Sequence, residues 1–213
     1  GLRARWPVSQ KDRCRTGGAL IRLITPAASR RTPWKNGLGA TLELATDAAA
    51  PRGEWTWRLS IADVPSRAPF SAYPGIDRFI ACLTGPGLTL ERAGARQIAP
   101  REGDALPFPG EEAVTGEPLG PGVRDIGLML RRDRWRGRMT LSRGRALALE
   151  APLVIVHAPE GSAALSAVTP EGAVDILPGH TLVAGGRVAI PEASGGVAVA
   201  CELTAIKNIR KKV

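Results

Sequence analysis

Apolar and polar positions alternate in short runs along most of the chain, and no ten-residue window carries the 3.6-residue period of an amphipathic helix. Runs of this kind occupy 19–25, 40–45, 55–64, 79–83, 88–91, 96–99, 105–108 and 123–130. After a basic, polar connection over 131–138 they recur at 139–141, 146–149, 153–157, 163–168, 173–176, 181–184, 188–190 and 197–203. Short strands spaced eight to twelve residues apart and separated by Gly and Pro predict an all-β sandwich or barrel.

Two runs have faces of opposite character. In 40–45, Thr41 and Glu43 share one side and Leu42 and Leu44 the other; in 55–64, Trp57, Leu59 and Ile61 oppose Arg58, Ser60 and Ala62. A faint internal repeat joins the halves of the chain. Ile80 leads in 23 positions to Gly103-Asp104, and Ile155 leads in 24 to Gly179-His180, with a turn and a strand between. The Pro-x-Gly turn before a strand resembles a motif of the cupin superfamily. The expected architecture is bicupin-like: two antiparallel β-barrel or jelly-roll halves packed as one unit, over 20–118 and 119–206. A basic, disordered extension (1–19) and a basic tail (207–213) are expected to flank them.

Composition narrows the classes. The 213 residues include Gly 25 and Pro 18, suited to a turn-rich β protein. The net charge of +9 invites a nucleic-acid reading, but residues 1–20 and 207–213 each contribute +4 and leave the body nearly neutral. Short basic ends read as solvated tails, so a nucleic-acid partner is not expected. No apolar run reaches the roughly 20 residues of a spanning helix, and 1–19 lacks the apolar core of a secretory signal. Cys14, Cys82 and Cys201 are odd in number and widely spaced, which argues for a reducing, cytoplasmic setting without disulfides.

Candidate chemistry gathers between Thr32 and Arg78, where Trp34, Trp57 and Phe70 offer apolar walls and Lys35, Asn36, Thr41, Glu43, Arg58, Ser60, Ser71, Asp77 and Arg78 offer polar groups. Arg58, on an otherwise apolar strand, either clamps a ligand carboxylate or pairs with Glu43 or Asp77. Arg78 has the same two readings, and its neighbour Asp77 favours an ion pair. Lys35 and Asn36, in a glycine-flanked loop, suit a carboxylate and an amide oxygen, although Asn36-Gly37 is also a turn dipeptide. Ser60 and Ser71 lack an adjacent histidine, which counts against nucleophilic catalysis. With only His157 and His180 in the chain, neither a metal nor another cofactor is expected.

The blocks Trp34-Lys35-Asn36-Gly37-x-Gly39-x-Thr41-x-Glu43, Trp57-Arg58-x-Ser60-x-Ala62 and Pro69-Phe70-Ser71-x-Tyr73-Pro74-Gly75-x-Asp77-Arg78 resemble the signature of the HutD/Ves family. A further block, Arg124-Asp125-Ile126-Gly127-Leu128-Met129, resembles another family run and adds Asp125 to the candidates. Leu38 stands where the family usually has glycine, and Gly127 where it usually has asparagine. The resemblance implies a cytoplasmic bacterial bicupin encoded with histidine-utilisation genes. Its expected role is to bind an anionic intermediate such as N-formylglutamate, in a regulatory capacity and without an assigned catalytic activity. A second reading is an acid–base isomerase or hydrolase using Glu43 or Asp77. A third is an interaction module with the sheet as a homodimer face.

Overall fold

A computed structural model describes residues 21–33, 39–48 and 54–206. The expected extension and tail, and the loop with Trp34, Lys35, Asn36 and Leu38, lie outside the described residues. Eighteen strands follow one another with a single 3-10 turn, Pro26–Ala28, and no α-helix among the described residues. They are β1 (Ile21–Ile24), β2 (Arg30–Pro33), β3 (Ala40–Thr46), β4 (Trp57–Asp63), β5 (Ala68–Pro69), β6 (Ile76–Thr84), β7 (Leu88–Arg92), β8 (Ala95–Ile98) and β9 (Gly103–Asp104). Then come β10 (Leu106–Pro109), β11 (Val114–Pro118), β12 (Arg124–Arg131), β13 (Trp135–Arg143), β14 (Leu147–His157), β15 (Leu165–Thr169), β16 (Gly172–Ile176), β17 (Thr181–Ile190) and β18 (Val197–Ala205).

They form three sheets. Six strands run in the order β10-β6-β12-β4-β3-β2, and four in the order β5-β11-β7-β8. Eight form the path β16-β15-β17-β14-β18-β13-β9, with β1 also on β17. The all-β expectation holds. Across the expected division at 118/119, strands cross over: β1 and β9 pair with β17 and β13, while β12 lies between β4 and β6.

Alternation determines what each sheet face buries. Trp57, Leu59 and Ile61 of β4 join Ile126, Leu128 and Leu130 of β12 against Met139, Leu141, Ile155 and Cys201 of the eight-stranded sheet. The opposite face of the six-stranded sheet looks toward the four-stranded one, where Ile80, Cys82 and Phe108 meet Leu88, Leu90 and Val114. A third cluster comes from the eight-stranded sheet and its flanks: Val154, Val156, Leu165, Ile176, Leu182 and Ile190 fill it.

Some boundaries differ from expectation for local reasons. The runs 146–149 and 153–157 are one strand, β14, because a register shift between Ala151 and Val154 absorbs Pro152, which has no N–H to give the ladder. Residues 135–138, expected in a connection, begin β13 and pair with 202–205. Gly116 is inside β11. A Cβ there would lie 2.6 Å from Phe70 Cε1, so glycine is what lets the ring reach the sheet.

Candidate functional site

β12 is central, and its register with β4 and β6 builds a polar patch on the face that looks toward the four-stranded sheet. Met129 stands opposite Arg58 on one side and Arg78 on the other, and Phe108 of β10 continues the row. The next row is Glu43–Ser60–Gly127–Ile80, and the one beyond is Thr41–Ala62–Asp125–Cys82. Because side chains alternate every second residue, these rows share one face. Arg58, Ser60, Thr41, Glu43, Arg78 and Asp125, widely spaced in sequence, are thus brought together.

Arg78 is only 7 % exposed. Its guanidinium carbon lies 4.9 Å from the Phe70 ring centre, 5.2 Å from that of Phe108 and 5.6 Å from that of Tyr73. Nη1 donates to the Ser71 carbonyl at 3.1 Å, while Nε is buried without a hydrogen-bond partner among the described residues. Arg58 sits 5.0 Å from the Trp55 ring centre and 5.8 Å from that of Tyr73. Its Nη2 is 3.2 Å from Met129 Sδ, and its Nε too is buried and unpartnered. Among the described residues, neither arginine has an ion-pair partner within 4.0 Å. Ring faces attract a cation but supply no hydrogen-bond acceptor in the guanidinium plane. Two such groups side by side also repel each other: burial first, and then Arg58, push the Arg78 pKa down, whereas Asp125 and Tyr73 push it up.

Asp125 is the nearby counter-charge. Burial pushes its pKa up to about 7, opposed by the Arg78 charge and the Ala62 backbone N–H and reinforced by Asp63. It therefore changes protonation near neutrality in contact with the field of Arg78. Gly127, one row away, keeps the surface between Asp125 and Met129 low. A Cβ there would meet only Ile80 Cδ1 at 3.0 Å and the Phe79 carbonyl at 3.8 Å, so a small side chain asks only the far end of Ile80 to shift.

The loop carrying Phe70, Ser71 and Tyr73 is locked by close backbone contact. Tyr73 N–H donates to the Gly110 carbonyl and Gly110 N–H to that of Ile76, both at 2.7 Å. A Cβ on Gly110 would fall 2.3 Å from the Tyr73 oxygen, so this approach requires glycine.

Other candidates lie elsewhere. Trp57 alternates onto the opposite face and packs in the core between the sheets, not beside Arg58. Asp77 does not pair with Arg78: Arg132 Nε donates to it at 2.7 Å, and the same guanidinium holds Glu111 at 2.8 and 3.0 Å. That pairing holds the Glu111 carboxyl down at about 2. Glu43 has Arg30 at 4.0 Å. Ser71 serves Arg78 through its backbone carbonyl. β2 and β3 pair Pro33 with Ala40 and Thr32 with Thr41, at the Asp125 end of the patch. Trp55, Tyr73, Phe108 and Met129 were not among the predicted site residues. The first two lie in the Trp- and Tyr-bearing stretch already singled out, whereas Phe108 reaches Arg78 only through the β6–β10 pairing.

No group of three or more His, Cys, Asp or Glu side chains that could hold a metal ion occurs among the described residues. His157 and His180 also differ in setting, one buried and the other half-exposed. The donor set of cupin metal sites, three histidines and a carboxylate, therefore does not fit here. No helix among the described residues is long and apolar enough to cross a membrane.

Known proteins match this arrangement over most of the chain. The HutD family model matches residues 27–203. An uncharacterized 21.2 kDa protein in the hutC 3′ region of Pseudomonas putida is 36% identical over 121 residues, which is 56% of this chain and 63% of the relative. Protein Ves of Cronobacter sakazakii is 34% identical over 119 residues, covering 53% of this chain and 65% of its own length. The matched segment is thus a little under two thirds of these relatives. The solved structure of HutD from Pseudomonas fluorescens SBW25 superposes with a TM-score of 0.69 at 25% identity, over 88% of this chain and 100% of that one.

Proposed function

The chain belongs to the HutD family, and on that footing we propose that it is a binding protein for a small anionic metabolite, held in the interior between the six- and four-stranded sheets. The observation that carries this reading is the row Arg58–Met129–Arg78, in which both guanidiniums keep a buried, unpartnered Nε and have no carboxylate within 4.0 Å among the described residues. Buried cations without a partner are costly to keep, and a ligand carboxylate offsets that cost with two parallel hydrogen bonds to a guanidinium fork.

A dicarboxylate that also carries an amide, such as N-formylglutamate, matches this chemistry. Each arginine takes one carboxylate. Ser60 and Asp125 face the amide, and Phe70 and Tyr73 cover the arginines. Thr41 and Glu43 complete the site from the Asp125 end in this reading, and Trp34, Lys35 and Asn36 are proposed as further ligand contacts. The role is regulatory within histidine utilisation, in line with the hutC-region name of the Pseudomonas putida relative. The two sheet systems act as two cupin-like halves, the first carrying the site.

Thermal denaturation tests it. Ligand that binds only the folded state raises the melting temperature in step with its concentration. N-formylglutamate is expected to do so for the wild type and not for Arg58→Ala. An Arg58→Ala protein stabilised as strongly as wild type contradicts the reading.

Asp125 supports a second reading, acid–base catalysis on the same acid, since a buried carboxyl that titrates near neutrality can both give and take a proton. Glu43 and Asp77 are less suited to that role, with Arg30 and Arg132 beside them. Turnover of a metabolite by wild type, lost in Asp125→Asn with binding retained, would establish it.

A further inference from the structure

The second candidate site lies at one end of the core between the eight- and six-stranded sheets. A cavity of about 90 Å³ there is walled by Leu42, Leu44, Ile61 and Leu83 on one side and reached by His157 from the other. His157 has the strand parity of Leu153 and Ile155, which pack between the sheets, so its ring faces the six-stranded sheet. It is 1 % exposed; Nδ1 lies 2.9 Å from Thr181 Oγ1, and Nε2 is buried with no hydrogen-bond partner among the described residues. A buried ring nitrogen without a partner is unfavourable, and the aliphatic walls supply none.

The surroundings define the guest. Burial pushes the His157 pKa down to about 4, so the ring is neutral at physiological pH. Arg124 and Glu160, both at the cavity wall, carry opposite charges and give no net preference for an ion, while the leucine and isoleucine walls penalise one. The Thr181 hydroxyl can donate to Nδ1 or accept from it, so Nε2 can serve as donor or acceptor. The volume corresponds to about three waters.

We propose that this cavity is a binding site for a small uncharged amide, with its polar end on His157 Nε2 and a short alkyl end against Leu44, Ile61 and Leu83. The site is separate from the arginine row and does not depend on what binds there.

The test uses the full chain labelled with ¹⁵N-histidine, which has two ring systems to resolve, His157 and His180. Acetamide is titrated, with acetate as its charged counterpart of equal size. Acetamide is expected to shift the His157 Nε2 resonance saturably and to leave the more exposed His180 unmoved, with little response to acetate. Leu42→Phe, a substitution at a half-buried position of the wall, is expected to weaken this response at least about tenfold. A linear drift shared by both histidines, or an equal response to acetate, overturns the proposal. So does a crystal of wild type soaked in acetamide that shows only water at His157, an outcome independent of whether the variant folds.

Discussion

The interior enclosed by the eight-stranded sheet and the interior between the other two sheets are built from the same kind of strand but filled differently. In the first, Val154, Val156, Leu165, Ile176, Leu182 and Ile190 meet with no buried charge among them. In the second, aliphatic and aromatic side chains share the space with Arg58, Arg78 and Asp125. A core needed only for stability is filled as the first one is. The second departs from that pattern along one strand-crossing row, and the proposed site rests on that departure: its charges are costly for folding and, in the proposed reading, serve a ligand.

Exchanging the two fillings breaks this comparison most severely. Leu182→Arg places a guanidinium in the interior that has no aromatic shelf and no counter-charge, and the chain is expected to lose its folded state, read by circular dichroism and solubility. The milder Leu182→Ala should cost about 2–5 kcal/mol in denaturant unfolding and leave ligand affinity unchanged.

The reverse exchange has the opposite signature. Arg78→Met and Arg58→Met are expected to leave stability equal or higher, because each removes a guanidinium whose buried Nε has no hydrogen-bond partner and which has no carboxylate within 4.0 Å among the described residues. Each should lower affinity for the anion about ten- to a hundredfold, as the loss of charged hydrogen bonds of ~1.5–3 kcal/mol implies.

Proton linkage is the next largest effect. The folded-state pKa of Asp125 lies above its ordinary value, so between that value and about 7 the folded chain holds a proton that the unfolded chain has lost. Its contribution to stability therefore falls as pH rises through that window. Anion affinity follows the same direction. Below about pH 7 a neutral Asp125 no longer competes for Arg78, and binding tightens. Asp125→Asn should flatten both profiles. His157 has the opposite sign: its pKa is depressed to about 4, so the stability it contributes is present above the ordinary histidine value and lost as pH falls toward 4. Urea melts across pH, with His157→Gln as control, separate the two.

The smallest expected effect is at Gly127. Gly127→Asn adds a side chain whose Cβ meets one flexible neighbour, Ile80 Cδ1 at 3.0 Å, so stability should change little. The pocket floor rises, and calorimetry should show bulkier acids losing affinity before smaller ones do.

Much of the second interior was legible in the chain. Strict alternation over 57–62 assigns Arg58 and Ser60 to one face and Trp57, Leu59 and Ile61 to the other, and the same logic joins Thr41 to Glu43. That alternation also separates Trp57 from Arg58, against its expected role as a pocket wall. What alternation could not supply was the partner across the ladder. Phe108 and Met129 reach the arginines through pairings with β6, and Asp77 turns to Arg132 because Arg132 lies beyond the end of β12 next to Ile76. Local composition also misled at β2, whose Arg30–Pro33 sequence is polar because it is the edge of its sheet. At β17, two runs separated by Gly185 and Gly186 are one strand.

The central claim is that two arginines without a carboxylate partner among the described residues hold one anionic metabolite. Calorimetric titration of wild type, Arg58→Met and Arg78→Met with N-formylglutamate, glutamate and urocanate tests it most directly. The account predicts saturable binding of one of these acids at one site per wild-type chain, lost in both variants while their unfolding midpoints hold. Undiminished binding by either variant, or silence of the wild type toward all three acids, would contradict it.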